Sequence, residues 1–184
     1  MNVEETDLPG VLEIAPRVFD DGRGQFFEAF RADAYARLTG TTFVQDNVAV
    51  SGPRVLRGLH LQEPHGQAKL VSVLVGEVYD VAVDVRVGSP AFGRWTARRL
   101  SEHNRRQLFI PAGFAHGYVV LGDGAVLSYK CSDYYHAAGE ISLRWDDPEL
   151  GIEWPLRDVV LSGKDASALT LREARDRLPR YDAR

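Results

Sequence analysis

Between Arg57 and Asp84 the chain reads RGLHLQEPHGQAKLVSVLVGEVYDVAVD. His60 sits in a Gly-Leu-His turn, Lys69 heads an apolar run, and Asp80 and Asp84 follow at strand spacing. Histidine titrates near neutrality and suits proton removal. A lysine supplies positive charge where an oxyanion develops. The chain otherwise favours arginine: of 22 basic residues only Lys69, Lys130 and Lys164 are lysines. A lysine opening a valine-rich strand is therefore a marked choice, because burial can shift the pKa of an ammonium and not that of a guanidinium. Tyr129 follows a Gly-rich turn on an alternating stretch and is a neutral acid, with an unperturbed pKa of about 10. Together these types fit proton transfer beside a carbonyl. Singly they have plainer readings, since a lone histidine often hydrogen-bonds in a core and an inward tyrosine usually packs.

Strands must position these groups. Lys69 to Val75 and Val78 to Arg86 carry the strongest signals, rich in valine and punctuated by Gly76-Glu77. In the second, Asp80 and Asp84 share a face with Val78, Ala82 and Arg86, which makes that face either solvent or a polar pocket inside a barrel. Residues 1–20 read as an extended arm. Gln25 to Phe30 predicts a strand with Phe26, Glu28 and Phe30 on one face, and Arg31 to Leu38 a short helix closed by Gly40. Phe43 to Val50 alternates, with Gln45 and Asn47 on one side. Arg94 to Leu100 predicts a polar, exposed strand. Gly122-Asp123-Gly124 predicts a hairpin between Val119–Leu121 and Val126–Asp133. Thr170 and Glu173 form a capping-box pattern opening a C-terminal helix that Pro179 ends. Many short strands, spaced at roughly 8–12 residues, predict an all-β sandwich or barrel.

The composition narrows the class. The 184 residues fit one domain with a sizeable core. Apolar residues make up 45% and charged residues 26%, as in ordinary globular proteins. No apolar run reaches about 18 residues, so no membrane helix is expected, and MNVEETDLPG lacks the apolar core of a secretory signal. A single cysteine, Cys131, forms no internal disulfide and fits a reducing cytoplasm. The net charge of −4 argues against nucleic acid as a partner, so an anionic ligand needs a local cluster of basic groups. Arg23, Glu28, Gln45, Asn47 and Arg57 offer one, since arginine suits phosphate and the amides suit a base or sugar edge. On the residues alone, a solvated strand face explains that set better.

Gly58-Leu59-His60-Leu61-Gln62, then Lys69, then Gly76 resembles the first motif of the cupin superfamily, the double-stranded β-helix. Pro111-Ala112-Gly113-Phe114-Ala115-His116 matches the second. Metal-binding cupins carry a second histidine where this chain has Gln62 and a glutamate where it has Lys69. An ammonium at a ligand position repels a divalent cation. The motifs therefore point to a cupin pocket turned from metal chemistry to organic acid/base chemistry, with no cofactor and no metal.

The chain resembles the dTDP-4-dehydrorhamnose 3,5-epimerase family nearly end to end. The matching blocks include Asp21-Gly22-Arg23-Gly24, Gln45-Asp46-Asn47, Leu56 to His60, Gln67-Ala68-Lys69, Ile110 to Gly117, Tyr129-Lys130, Trp154-Pro155 and Leu161 to Asp165. Departures are small: Leu61 precedes Gln62 where an aromatic is usual, Ala49 interrupts a serine-richer stretch, and His136-Ala137 replaces a common proline. The resemblance implies a jelly-roll barrel with short peripheral helices, spanning residues 1–184 as one domain. It implies a homodimer whose N-terminal arm, residues 1–20, packs on the partner. The implied substrate is dTDP-4-keto-6-deoxyglucose, epimerised at C3 and C5 to dTDP-4-keto-L-rhamnose for dTDP-L-rhamnose biosynthesis. His60 is the implied base, oriented by Asp165; Tyr129 is the opposite-face acid, and Lys69 stabilises the enolate. Arg23, Phe26, Glu28, Gln45, Asn47, Arg57, His116, Glu140 and Lys164 are the implied substrate-binding residues, with Arg23 and Glu28 serving the neighbour's site. A mono-epimerase, a metal-dependent cupin and a non-catalytic sugar-nucleotide binder are the other readings.

Overall fold

The computed structural model describes residues 1–182. Its strands are β1 (Asn2–Glu5), β2 (Leu12–Ala15), β3 (Val18–Asp20), β4 (Gln25–Phe27), β5 (Gln45–Ser51), β6 (Leu56–Gln62), β7 (Lys69–Asp84), β8 (Trp95–Ser101), β9 (Gln107–Ile110), β10 (Phe114–Cys131) and β11 (Glu140–Ser142). Three short helices, α1 (Ala32–Thr39), α2 (Gly163–Ala166) and α3 (Leu171–Ala174), lie around them. All named strand pairs are antiparallel. The all-β jelly-roll barrel with short peripheral helices is as the sequence predicts.

Two long strands build the barrel. β7 and β10 pair from Phe114↔Asp84 to Cys131↔Lys69. The first half of β7 also pairs β9, and its second half pairs β8. β10 does the converse, joining β6 through its first half and β5 through its second. Each long strand therefore passes from one sheet to the other. This corrects two expectations. Gly76-Glu77 does not separate two strands, and Gly122-Asp123-Gly124 does not close a hairpin. Both are bends within continuous strands. At the crossing the register slips between Val120 and Ala125 of β10, so the extra residues bulge and the strand turns without reversing. Gly76 has φ +81°, and a Cβ there would lie 2.1 Å from the Gly124 carbonyl oxygen, so no other residue fits.

Strand alternation sorts side chains into layers. Val71, Val73, Val78, Ala82, Leu108, Leu127 and Tyr118 fill the space between the sheets. Val81, Val83 and Val85 point the other way, against Leu59, Leu143, Ile152 and Trp154 of β6 and the C-terminal segment. Leu70, Ile14 and Phe109 pack under α1 through Tyr35. Burying such a side chain contributes roughly 1.5–3 kcal/mol, so the layers hold the strands rigidly. Asp80 and Asp84 are both fully buried, which removes the solvent reading of their face. β8 is also less exposed than its sequence suggests: Thr96, Leu100 and Ser101 are buried.

The N-terminal segment differs from the expected arm. Residues 2–15 form the β1–β2 hairpin, which joins this chain's own sheet through β9. Leu8, Val11 and Ile14 are buried in its own core. The projecting element is the separate β3–β4 hairpin, where Phe19 and Phe26 are 50% and 71% exposed. The α1 C-cap is Gly40 at φ 66°, and the Thr170–Glu173 capping box opens α3, both as the sequence predicts.

Candidate active site

Cross-strand register brings distant residues to one end of the barrel. On β10, His116 lies opposite His60 of β6, Tyr129 opposite Asn47 of β5, and Cys131 opposite Lys69 of β7. On β11, Glu140 lies opposite Gln62. Two adjoining cavities open there, of about 340 and 380 Å³, and His60, Lys69, Tyr129 and Glu140 line both. Gln45, Asn47 and Gln62 complete the first; Arg57, His116 and Lys164 complete the second.

His60 Nε2 lies 2.6 Å from Asp165 Oδ1. Asp165 is 4% exposed and reaches the barrel from α2. Ser162, the N-cap of α2, accepts a hydrogen bond from the Asp165 amide at 3.1 Å and donates its hydroxyl to Asp165 Oδ2 at 2.9 Å. A helix of one turn thus fixes the carboxylate by its cap. Burial pushes Asp165 up, but the His60 hydrogen bond and charge, with Ser162 and Lys164, outweigh it and hold the acid below its ordinary value. An anionic acceptor at Nε2 keeps the proton of a neutral imidazole there and leaves Nδ1 as the basic nitrogen.

Lys69 is pushed down by burial, against the opposing charges of Cys131, Asp80 and Glu140. Among the described residues its ammonium has no hydrogen bond or ion pair, so it can meet an anionic group in the cavity. Burial raises Tyr129, so the phenol stays protonated at neutral pH, and its hydroxyl makes no hydrogen bond among the described residues. A basic imidazole and a neutral acid therefore face one cavity that also contains a cation.

The flanking groups are tied together. His116 Nε2 lies 2.9 and 3.0 Å from the two oxygens of Asp80. Lys164 donates to Glu140 at 2.7 Å, and Tyr135 donates its hydroxyl to Glu140 at 3.2 Å. Arg57 donates to Ser51 at 3.0 Å, and Ser51 in turn meets the Tyr118 hydroxyl at 3.0 Å. Arg57 and Lys164, which line only the second cavity, give it a basic lining suited to phosphate.

The solvated-face reading fails for Gln45, Asn47 and Arg57, which line the cavities. Arg23, Phe26 and Glu28 are not brought to them. Arg23 pairs with Asp21, Glu28 lies 3.7 Å from Arg31, and Phe26 projects from the β3–β4 hairpin. Sequence reasoning missed the structural part played by Gln62. It donates to the carbonyls of His65 and Tyr134, at 2.6 and 3.1 Å, and accepts from the His136 amide at 2.7 Å. Gln67 and Tyr135 were also missed as cavity lining. The adjacent Tyr134-Tyr135 pair was the available signal, since paired aromatics outside a strand often mark a binding rim.

Comparison with known proteins follows the same lines. The sequence pattern of the dTDP-4-dehydrorhamnose 3,5-epimerase family matches residues 5–173. A dTDP-4-dehydrorhamnose 3,5-epimerase of Neisseria gonorrhoeae is 51% identical over 176 residues, covering 95% of this chain. The match spans 54% of that longer protein. The crystal structure of a dTDP-6-deoxy-D-glucose-3,5-epimerase from Legionella pneumophila, in complex with dTDP-4-keto-L-rhamnose, superposes with TM-score 0.96 at 50% identity, covering 99% of both chains. A 4-keto-6-deoxy sugar epimerase from the novobiocin biosynthetic gene cluster of Streptomyces spheroides superposes with TM-score 0.93 at 40% identity, covering 98% of this chain and 94% of that one.

Proposed function

The chain belongs to the dTDP-4-dehydrorhamnose 3,5-epimerase family, and from that premise we infer the reaction its cavity carries out. It epimerises C3 and C5 of dTDP-4-keto-6-deoxyglucose, giving dTDP-4-keto-L-rhamnose for dTDP-L-rhamnose biosynthesis. The C3 and C5 protons flank the C4 ketone, so removing either one leaves an enolate whose charge resides on the C4 oxygen. His60 Nδ1 takes the proton. Asp165 holds the ring and stabilises the imidazolium. Lys69 stabilises the enolate oxygen, and its half-buried ammonium, without a partner among the described residues, is worth more there than in open water. Tyr129 returns a proton from the other face, which inverts the centre. The single observation carrying this reading is that the His60–Asp165 pair and the unbonded Tyr129 hydroxyl line one cavity with Lys69.

Arg57, His116, Glu140 and Lys164 bind the diphosphate and sugar side, and Gln45 and Asn47 the rest of the nucleotide sugar. A homodimer explains the remaining residues: the β3–β4 hairpin projects Phe26 and leaves Arg23 and Glu28 outside this chain's own cavity, so a second copy receives them. Among the described residues no helix is long and apolar enough to cross a membrane. A nucleotide-sugar substrate and a buried, unpaired Cys131 support a cytoplasmic location.

Ala49 and Leu61, which depart from the family pattern, both line the cavities. That observation favours a second reading, a mono-epimerase on the same or a sister sugar. Incubation with dTDP-4-keto-6-deoxyglucose in heavy water separates the two. Deuterium at both C3 and C5 is expected. Deuterium at one carbon supports the mono-epimerase, and deuterium at neither refutes epimerase chemistry on this substrate.

A further inference from the structure

Outside the catalytic groups, His65, Asp133 and His136 bring one ligand atom each to within 4.8 Å of one another. His65 Nδ1 lies 3.5 Å from Asp133 Oδ2. The two imidazoles stack, with centroids 4.2 Å apart and planes at 21°. We propose that these three side chains form a divalent-cation site, selective for a borderline ion such as zinc, that clasps the two loops at the rim of the substrate cavity.

The donor set and its support carry the inference. Two imidazoles and a carboxylate suit zinc, whose bonds to nitrogen and oxygen are about 2.0–2.2 Å. Ligand atoms around a tetrahedral ion are then about 3.4 Å apart. The His65–Asp133 separation is already near that value, and His136 is exposed and free to swing in. Water takes the fourth position.

The backbone of each ligand residue is fastened by a glutamine of the cavity wall. Gln62, 5% exposed, bonds the His65 carbonyl and the His136 amide. Gln67 donates to the Asp133 carbonyl at 2.8 Å. The Tyr134 amide donates to Asp133 Oδ1 at 2.7 Å, turning Oδ2 toward His65. The backbones of all three residues and the Asp133 carboxylate are thus held from outside, and only the imidazoles need turn to meet an ion. The three donors are distinct from the cupin ligand positions: Lys69 is not among them, and Gln62 meets only the backbone of His65 and His136. It is a clasp, not a reaction centre. An ion there joins residues 63–67 to residues 132–136, the segments that lead to Gln67 and Tyr135 in the cavity lining.

Isothermal titration of zinc chloride into chelator-treated protein tests the proposal, with His65→Gln, Asp133→Asn and His136→Gln alongside. One ion per chain is expected, with binding weakened at least about tenfold in each variant, the loss that even an outer partner of a ligand causes. Near-ultraviolet circular dichroism establishes that the variants are folded, and epimerisation in chelator is expected to match wild type in all three. Binding undiminished in the folded variants places the ion elsewhere and overturns the proposal. So does a wild type that takes up no zinc at about 100 μM, a concentration that fills a site of roughly micromolar Kd.

Discussion

Two histidine–carboxylate pairs stand side by side in this barrel, and their difference assigns their work. His60 and His116 are cross-strand neighbours, each hydrogen-bonded through Nε2 to an aspartate. His116 is 9% exposed and its partner Asp80 is 0% exposed, one strand away. His60 is 24% exposed, and its partner arrives from α2, 105 residues on. The His116 ring meets both oxygens of Asp80. The His60 ring meets one oxygen of Asp165, and Ser162 engages the other. The same two residue types thus make a tightly held pair at the cavity wall in one place and a more open, oriented imidazole in the other. Access and the origin of the carboxylate distinguish them; residue identity does not.

Removing each histidine is the direct way to break that comparison. His60→Ala should lower epimerisation and proton exchange at C3 and C5 by about 10⁴-fold, the upper end for a general base, with a smaller stability change, because the truncation opens the cavity to water beside Asp165 and Ser162 still donates to its carboxylate. His116→Ala should cost about 3–5 kcal/mol of stability, since it leaves the buried Asp80 carboxylate without a partner, and should weaken substrate binding while proton exchange persists at saturating substrate. Thermal unfolding together with steady-state rates checks both. If His60→Ala lost the stability and His116→Ala kept it, the assignment would be reversed.

Lys69→Met sharpens the contrast between function and stability at a smaller scale. Burial lowers the folded-state pKa of Lys69, so its charged form disfavours folding below that pKa. Wild-type stability should therefore rise as pH climbs from the folded value toward the unfolded one near about 10.4. The methionine variant should be inactive yet melt a few degrees higher at neutral pH, about 2–4 °C for each kcal/mol gained in a chain this size. Its advantage should shrink as pH approaches about 10. A variant that melts lower at neutral pH would show the ammonium to be well solvated.

Local signals gave the chemistry more readily than the connections. His60, Lys69, Tyr129 and His116 stood out because motif spacing and strand alternation describe a strand's two faces. Asp165 came from family resemblance alone, since nothing local to Ser162–Asp165 reports a partner on β6. The glycines at Gly76 and Gly122–Gly124 read as turns because composition marks where a chain bends and not whether it reverses. Only the pairing partners, β8 and β9 for β7, show that it continues. Sequence alone does not separate solvent from pocket for Asp80 and Asp84, because carboxylates in a strand look alike until their partners, His116 and Arg86, are in place. The β1–β2 hairpin was missed for the same reason: its apolar residues are few, and its partner β9 lies about a hundred residues downstream.

The central claim is that base and acid work from opposite faces, and Tyr129→Phe in heavy water tests it most directly. The ring and its packing remain while the hydroxyl goes. His60 should still remove the proton, so deuterium exchange should persist on its face, while inverted product falls by about 10²-fold or more. Equal loss of exchange and inversion would contradict the account, making Tyr129 a positioning group for substrate or for His60.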